Sequence, residues 1–161
     1  ADPLDSVVVS ITRVDAGTSY NIIPQSVLVQ GTVRTLNEAM RDLAQARLTE
    51  IATGVAAAMG GKARMSYARG YPVTRNHAAQ TQFAVKVAQS VAGDNAVETA
   101  LEPTMGAEDF SYMLEARPGA FIFIGNGDSA GLHHPAYDFN DSVIPAGMSY
   151  WAKLIETAMP A

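Results

Sequence analysis

Two adjacent histidines, His133 and His134, stand in the most polar stretch of the chain, GNGDSAGLHHPAYDFND at residues 125–141. An all-apolar run, AFIFI at residues 120–124, leads into it, and an amphipathic pattern starting near Pro145 follows it. A neutral imidazole binds zinc, cobalt, nickel or manganese, and imidazole also serves general acid–base work. The competing reading is two loop histidines without a chemical task, one packed against the following helix and one in solvent. The rest of the chain offers little help. His77 is the only other histidine, and there is no cysteine. Thiolate nucleophiles, disulfides and cysteine-rich zinc sites are therefore excluded for this chain. There is no HExxH and no second histidine at a helical offset, so a metal site built here needs ligands from far away.

Four further places carry chemistry-bearing groups. Glu108 and Asp109, in MGAEDF at residues 105–110, fall at a predicted helix start. Capping and the helix dipole explain two carboxylates there; the wall of a site explains them as well. Arg34 extends from a predicted strand with polar neighbours and has the forked geometry that clamps a carboxylate. Asn21 lies on the same first segment. For both, a solvated surface position is the competing reading, as it is for Arg69, Arg75 and His77. Gly125-Asn126-Gly127 after an apolar run is a weak dinucleotide signal and reads better as a flexible turn.

These groups need elements to position them. Residues 6–14, SVVVSITRV, are β-branched almost throughout and predict a strand, with Val7, Val9 and Ile11 on one face. Residues 27–35 predict a second strand, in which Gly31 points to a bulge or a close approach. Residues 37–59 are the clearest helix: Met40, Leu43, Ala44, Leu48, Ile51, Val55 and Met59 recur at three- and four-residue spacing. Asn37 can cap its start, and Gly60-Gly61 can stop it. Residues 62–68 alternate again and predict a strand. The first segment thus reads strand, strand, helix, strand. After a Gly/Pro boundary at residues 70–77 come a helix over 79–91, at most a short strand over 96–101, and a small helix over 108–115. A buried strand over 120–124 and a helix over 144–159 through Met148, Trp151, Ala152, Ile155 and Met159 complete a layered α/β pattern.

Composition sets the outer bounds. The chain of 161 residues is 48% apolar, with a formal charge of -5. That balance argues against a nucleic-acid partner held through its phosphates. No apolar run reaches bilayer length, so no membrane partner is expected. Residues 1–20 contain no basic start followed by an apolar core, so no secretory leader is expected and a cytoplasmic location is the default.

Four motifs, in order, carry a family resemblance: AGTSYNIIP at 16–24, GTVRT at 31–35, MGAEDFS at 105–111 and GLHHPAYDFND at 131–141. The chain resembles the C-terminal part of the aminoacylase/hippurate-hydrolase family of metal-dependent amidohydrolases. The resemblance implies a partial βαββαβ lid, or dimerisation, domain with an antiparallel sheet at residues 1–71. It also implies the C-terminal portion of a layered α/β, zinc-peptidase-like catalytic domain at residues 72–161. The first lid strand and helix, and the catalytic part before them, are outside the chain. That part would carry a His-x-Asp pair, a bridging Asp, a Glu-Glu pair and a further ligand. No histidine precedes His77 and no Glu-Glu occurs.

Carried over by motif, the resemblance makes His133 the metal ligand and His134 its variable neighbour. It makes Arg34 and Asn21 the lid residues that hold the substrate carboxylate or the tetrahedral intermediate, and Glu108 a supporting wall of the pocket. Asn76 is implied as a structural hinge. The implied reaction is metal-assisted hydrolysis of the amide bond of N-acyl amino acids or small peptide-like substrates. The implied cofactors are two divalent ions per full-length subunit, zinc, manganese, cobalt or nickel, and the implied assembly is a homo-oligomer through the lid. The fragment alone is expected to be inactive, because the general base and most ligands lie outside it. The alternatives are a non-catalytic dimerisation module, in which lid strands pair edge to edge, and metal-free substrate binding through Arg34.

Overall fold

The computed structural model describes residues 5–160. In chain order the elements are β1 (Val7–Asp15), β2 (Leu28–Thr35), α1 (Glu38–Ala58), α2 (Ala78–Ala92), α3 (Phe110–Ala116) and α4 (Ile144–Ala158), with single 3-10 turns at Asp94–Ala96 and Asp141–Val143. The chain divides into two compact units. The first holds residues up to Val73 together with Pro103–Ala107, and the second holds Thr74–Glu102 and the residues from Glu108 onward.

In the first unit β1 and β2 pair antiparallel, from Val7 opposite Thr35 to Asp15 opposite Leu28. The register shifts between Ile11 and Arg13, which leaves Thr12 as an extra residue beside Gly31. Gly31 answers the expectation of a close approach: a Cβ there would lie 2.1 Å from the Ser10 carbonyl oxygen. The extra residue also changes the phase of side chains along β1. Val7, Val9 and Ile11 pair with Thr35, Val33 and Gly31, and beyond the shift it is Val14 that pairs with Val29. One face therefore stays apolar along its length. Its half-buried members Val7, Val33 and Thr35 lie on the side covered by α1.

Helix α1 starts as its sequence predicts. The Asn37 side chain accepts from the Met40 N–H at 2.8 Å and donates to Asp5 at 2.8 Å. The packed stripe is the four-residue row Met40, Ala44, Leu48, Ala52 and Ala56, whereas Leu43, Ile51, Val55 and Met59 stay exposed. Residues 62–68 form no ladder, contrary to the strand expected there. Met65 and Tyr67 are half-buried and alternate with exposed neighbours, which is the strand periodicity without a paired strand. Polar bonds fasten the end of this segment to α1. Arg69 Nε donates to Gln45 at 3.0 Å, its guanidinium also pairs with Asp42, and Arg41 donates to the Gly70 carbonyl at 2.7 Å. The Asp42 carboxylate raises the Arg69 pKa further.

The second unit is built on α2 packed against α4, and the short α3 buries Ser111 and Leu114. Ala84, Val87, Leu114 and Tyr150 are its buried apolar residues. Residues 96–101 and 120–124 form no strand, against expectation, because no neighbouring strand among the described residues offers a ladder. The Asn76 side chain takes the place of one: its Nδ2 donates to the Phe121 carbonyl and its Oδ1 accepts the Phe121 N–H, both at 2.8 Å. The Phe121 ring in turn packs on Phe110 at a tilt and on Phe123 edge to face, with ring centroids at 5.8 and 5.2 Å. The packing face of α4 also differs from the expected one. Gly147, Tyr150 and Leu154 turn inward, while Met148, Trp151, Ile155 and Met159 are exposed. Gly147 lets the Ile124 side chain approach to 3.4 Å of where a Cβ would stand. No described helix is long and apolar enough to cross a membrane.

Candidate functional site

The His133 loop has a distinctive backbone. His133 has φ 66°, the only positive φ at a non-glycine among the described residues. An L residue there is held against its steric preference, so the surrounding turns must impose it. They do so locally. The His134 N–H donates to the Gly131 carbonyl at 3.1 Å, and the Tyr137 N–H donates to the His134 carbonyl at 2.9 Å. The two imidazoles differ in what they do. His134 Nδ1 accepts the Ala136 N–H at 3.0 Å, so this ring is committed to the turn. The exposed His133 side chain has no hydrogen bond within the described residues.

The neck of the loop is Asn126. Its Oδ1 accepts the Asn140 N–H at 2.8 Å, and its Nδ2 donates to the Asp138 carbonyl at 2.8 Å and to Ser129 Oγ at 3.0 Å. The GNG piece, expected as a flexible turn, is thus the tied end of the loop. Asn140 Oδ1 accepts from Ser142 N–H at 3.1 Å and caps the 3-10 turn that leads into α4. The signal for this neck was in the sequence as two asparagines flanking the histidine stretch, but spacing alone does not show that their amides meet.

In the first unit, Arg34 projects from the sheet face opposite α1. Its Nη1 donates to the Met105 carbonyl at 2.5 Å. GTVRT and the start of MGAEDFS are thereby joined across 71 residues of chain. The remaining guanidinium donors make no hydrogen bond among the described residues and keep the capacity to take a carboxylate. Asn21 lies in an exposed turn, where its Oδ1 accepts from Ser19 Oγ at 2.6 Å.

In the second unit, Glu108 is half-buried at the head of α3. Its Oε1 accepts the Phe110 N–H at 3.2 Å, and its carbonyl accepts the hydroxyl of the fully buried Ser111 at 2.6 Å. Of the two adjacent carboxylates, it is Glu108 that caps α3; Asp109 makes no capping bond. His77 precedes α2, and its Nδ1 accepts the Gly119 N–H at 3.2 Å. That ring fixes chain ends in the second unit.

Among the described residues, no three His, Asp or Glu side chains converge as metal ligands. The residues of this chain do not by themselves fit a dinuclear centre, and His133 is a single imidazole on an open loop.

The profile of peptidase family M20/M25/M40 matches residues 5–157. The chain belongs to this family. It is 34% identical over 153 residues to hippurate hydrolase from Campylobacter jejuni, covering 95% of this chain and 40% of the relative. It is 33% identical over 151 residues to N-acetylcysteine deacetylase from Bacillus subtilis, covering 94% and 39%. Among solved structures it superposes on a dinuclear metal-binding M20 peptidase from Bacillus subtilis with a TM-score of 0.74 at 31% identity, covering 94% of this chain and 42% of that one. The chain thus spans about two fifths of the length of these family members. The α/β fold, with its antiparallel strand pair and four helices, is a match to part of the family's fold.

Proposed function

We propose that this chain is the C-terminal part of an enzyme that hydrolyses the amide bond of N-acyl amino acids. The observation that carries the reading is the match of nearly the whole chain to relatives named for such cleavage, hippurate hydrolase and N-acetylcysteine deacetylase. In this reading residues 1–71 are a partial lid and residues 72–161 the end of the catalytic domain. His133 is the imidazole offered to two divalent ions, whose other ligands come from polypeptide outside this chain. Arg34 and Asn21 hold the substrate carboxylate, and Glu108 walls the pocket. The geometry supports each part separately. His133 is held at a strained φ with an uncommitted ring, Arg34 is anchored by one nitrogen with other donors to spare, and Glu108 is fixed at a helix start. A charged fork aimed by an internal bond loses less freedom when it takes a carboxylate.

The lid part also supports a homo-oligomer. Among the described residues the sheet has two strands, so each keeps one edge free to pair with another chain.

The test compares the 161-residue chain with a polypeptide extended to the full length of the relatives. Release of free amino acid from a panel of N-acyl amino acids is measured with added zinc, manganese, cobalt or nickel. The extended protein hydrolyses some of the panel and the short chain does not. His133→Ala abolishes turnover, and Arg34→Ala raises KM for substrates that carry the carboxylate. An extended protein that cleaves none of the panel, or that is indifferent to His133→Ala, overturns the reading.

A further inference from the structure

We propose that Asn126 is the positioning residue of the His133 loop: its carboxamide ties the two ends of the loop together and so sets where the His133 imidazole stands. The proposal rests on the reading of His133 as the working imidazole.

The loop is not held by burial. From residue 127 to residue 139 only Ala130 is even half-buried. Under its neck is a depression of about 380 Å³ whose lining includes Asn126, Asp128, Phe139 and Asp141 rather than a packed core. Hydrogen bonds must therefore do the holding. The bonds inside residues 131–137 make local turns and tie neither end to the other. Among the described residues, the hydrogen bonds that cross the neck all run through Asn126, to Asp138 and to Asn140. A carboxamide has one acceptor and two N–H donors, and Asn126 uses all of these functions. Gly127, at φ 81°, turns the chain away directly after the tie, and a Cβ there would stand 3.5 Å from the Asn140 amide. Because Asn140 also caps the turn into α4, the tie refers the loop to a helix rather than to another loop. Cutting it returns some fourteen residues of closed chain to an open search, and the turn that imposes the His133 φ then floats with them.

Asn126→Asp tests this with little change of size. The acceptor remains, while the donor to the Asp138 carbonyl becomes a carboxylate oxygen facing an obligate acceptor; the Ser129 hydroxyl can turn to donate to it, so it is the bond across the neck that is lost. Asp128, Asp138 and Asp141 already line the same depression, so a further negative charge is unwelcome. Amide hydrogen exchange is measured across the chain, and turnover of an N-acyl amino acid is measured in the full-length polypeptide. Protection across residues 127–139 falls by about tenfold or more, in keeping with loss of the bond to Asp138 and repulsion between the two oxygens left facing each other. Protection in α2 and α4 is retained, and kcat falls with little change in KM. Asn126→Ala, which also loses the acceptor, opens the loop at least as far. If Asn126→Ala loosens α2 and α4 as well, Asn126→Asp decides.

Unchanged loop protection in Asn126→Asp overturns the tie. An open loop with kcat intact, in a protein that His133→Ala inactivates, overturns the positioning role while the function of His133 stands. If His133→Ala also leaves turnover intact, the functional reading itself has failed and this proposal falls with it.

Discussion

At the scale of single residues the two adjacent histidines separate by geometry. His134 spends its Nδ1 on the turn, and His133 is uncommitted at φ 66°. By residue type they are equivalent, and in the sequence only the family resemblance ranks His133 above His134; the physical difference lies in one backbone dihedral and one hydrogen bond. The dihedral has a measurable cost. His133→Gly and His133→Ala both remove the imidazole, but only glycine accepts positive φ freely, so the glycine variant should be the more stable by about 1 kcal/mol in chemical denaturation. Equal stability would mean that the turn relaxes without the ring. Tyr150 supports a second prediction. It is 6% exposed, and burial raises its pKa by disfavouring the phenolate. Since the folded pKa lies above the unfolded one, the stabilising contribution is intact below about pH 10 and is lost as pH climbs above it. Thermal melts of the wild type should therefore fall in alkali more steeply than those of Tyr150→Phe, and parallel curves would contradict this. Of the site residues, the types were legible in sequence. Their partners were not: the bond from Arg34 to the Met105 carbonyl spans 71 residues.

At the scale of elements, the helices and the strands β1 and β2 were legible, and three further expected strands did not form. The starts of α1 and α4 are written locally, in Asn37 and in the proline near the head of α4. A strand is written only half locally, since its ladder needs a second chain segment. Residues 62–68, 96–101 and 120–124 have strand-like composition and no ladder among the described residues. The faces of α1 and α4 show a related limit. Apolar spacing identifies a stripe, but several stripes compete, and in α4 the smaller row through Gly147 packs while the larger one does not. Gly31→Ala belongs at this scale. Its Cβ would meet the backbone of β1 at 2.1 Å, where no flexible side chain can yield. The β1–β2 ladder should open, seen as loss of amide protection over both strands. Asn37→Ala, by contrast, should cost about 1 kcal/mol of stability, with α1 still formed. A ladder that stays protected in Gly31→Ala would show that Thr12 can absorb the shift.

At the scale of the molecule, surface area is the informative quantity. The chain exposes 12634 Å². A compact monomer of 17.0 kDa exposes about 7,700 Å², and two separate compact halves about 9,300 Å². The excess over two separate compact halves cannot come from separation of the units alone, so part of it resides within the units themselves. Much of it is apolar: Ile51, Val55, Trp151 and Ile155 are among the large side chains left more than half exposed. Such a chain should bind a hydrophobic dye and unfold over a broad range when studied alone. Polypeptide spanning the rest of the relatives' length, covalently joined, should suppress the dye signal and sharpen the melt. A sharp melt without dye binding in the 161-residue chain would contradict this. The division into units has its own consequence. Pro103–Ala107 belongs with the first unit although it is flanked in sequence by the second. The units are therefore not beads on a string, and their recombination has a constraint. A chimera joined at residue 73 would import a foreign 103–107 segment into the first unit, and with it the carbonyl that Arg34 grips. A homologous exchange that respects function must take three crossover points instead of one.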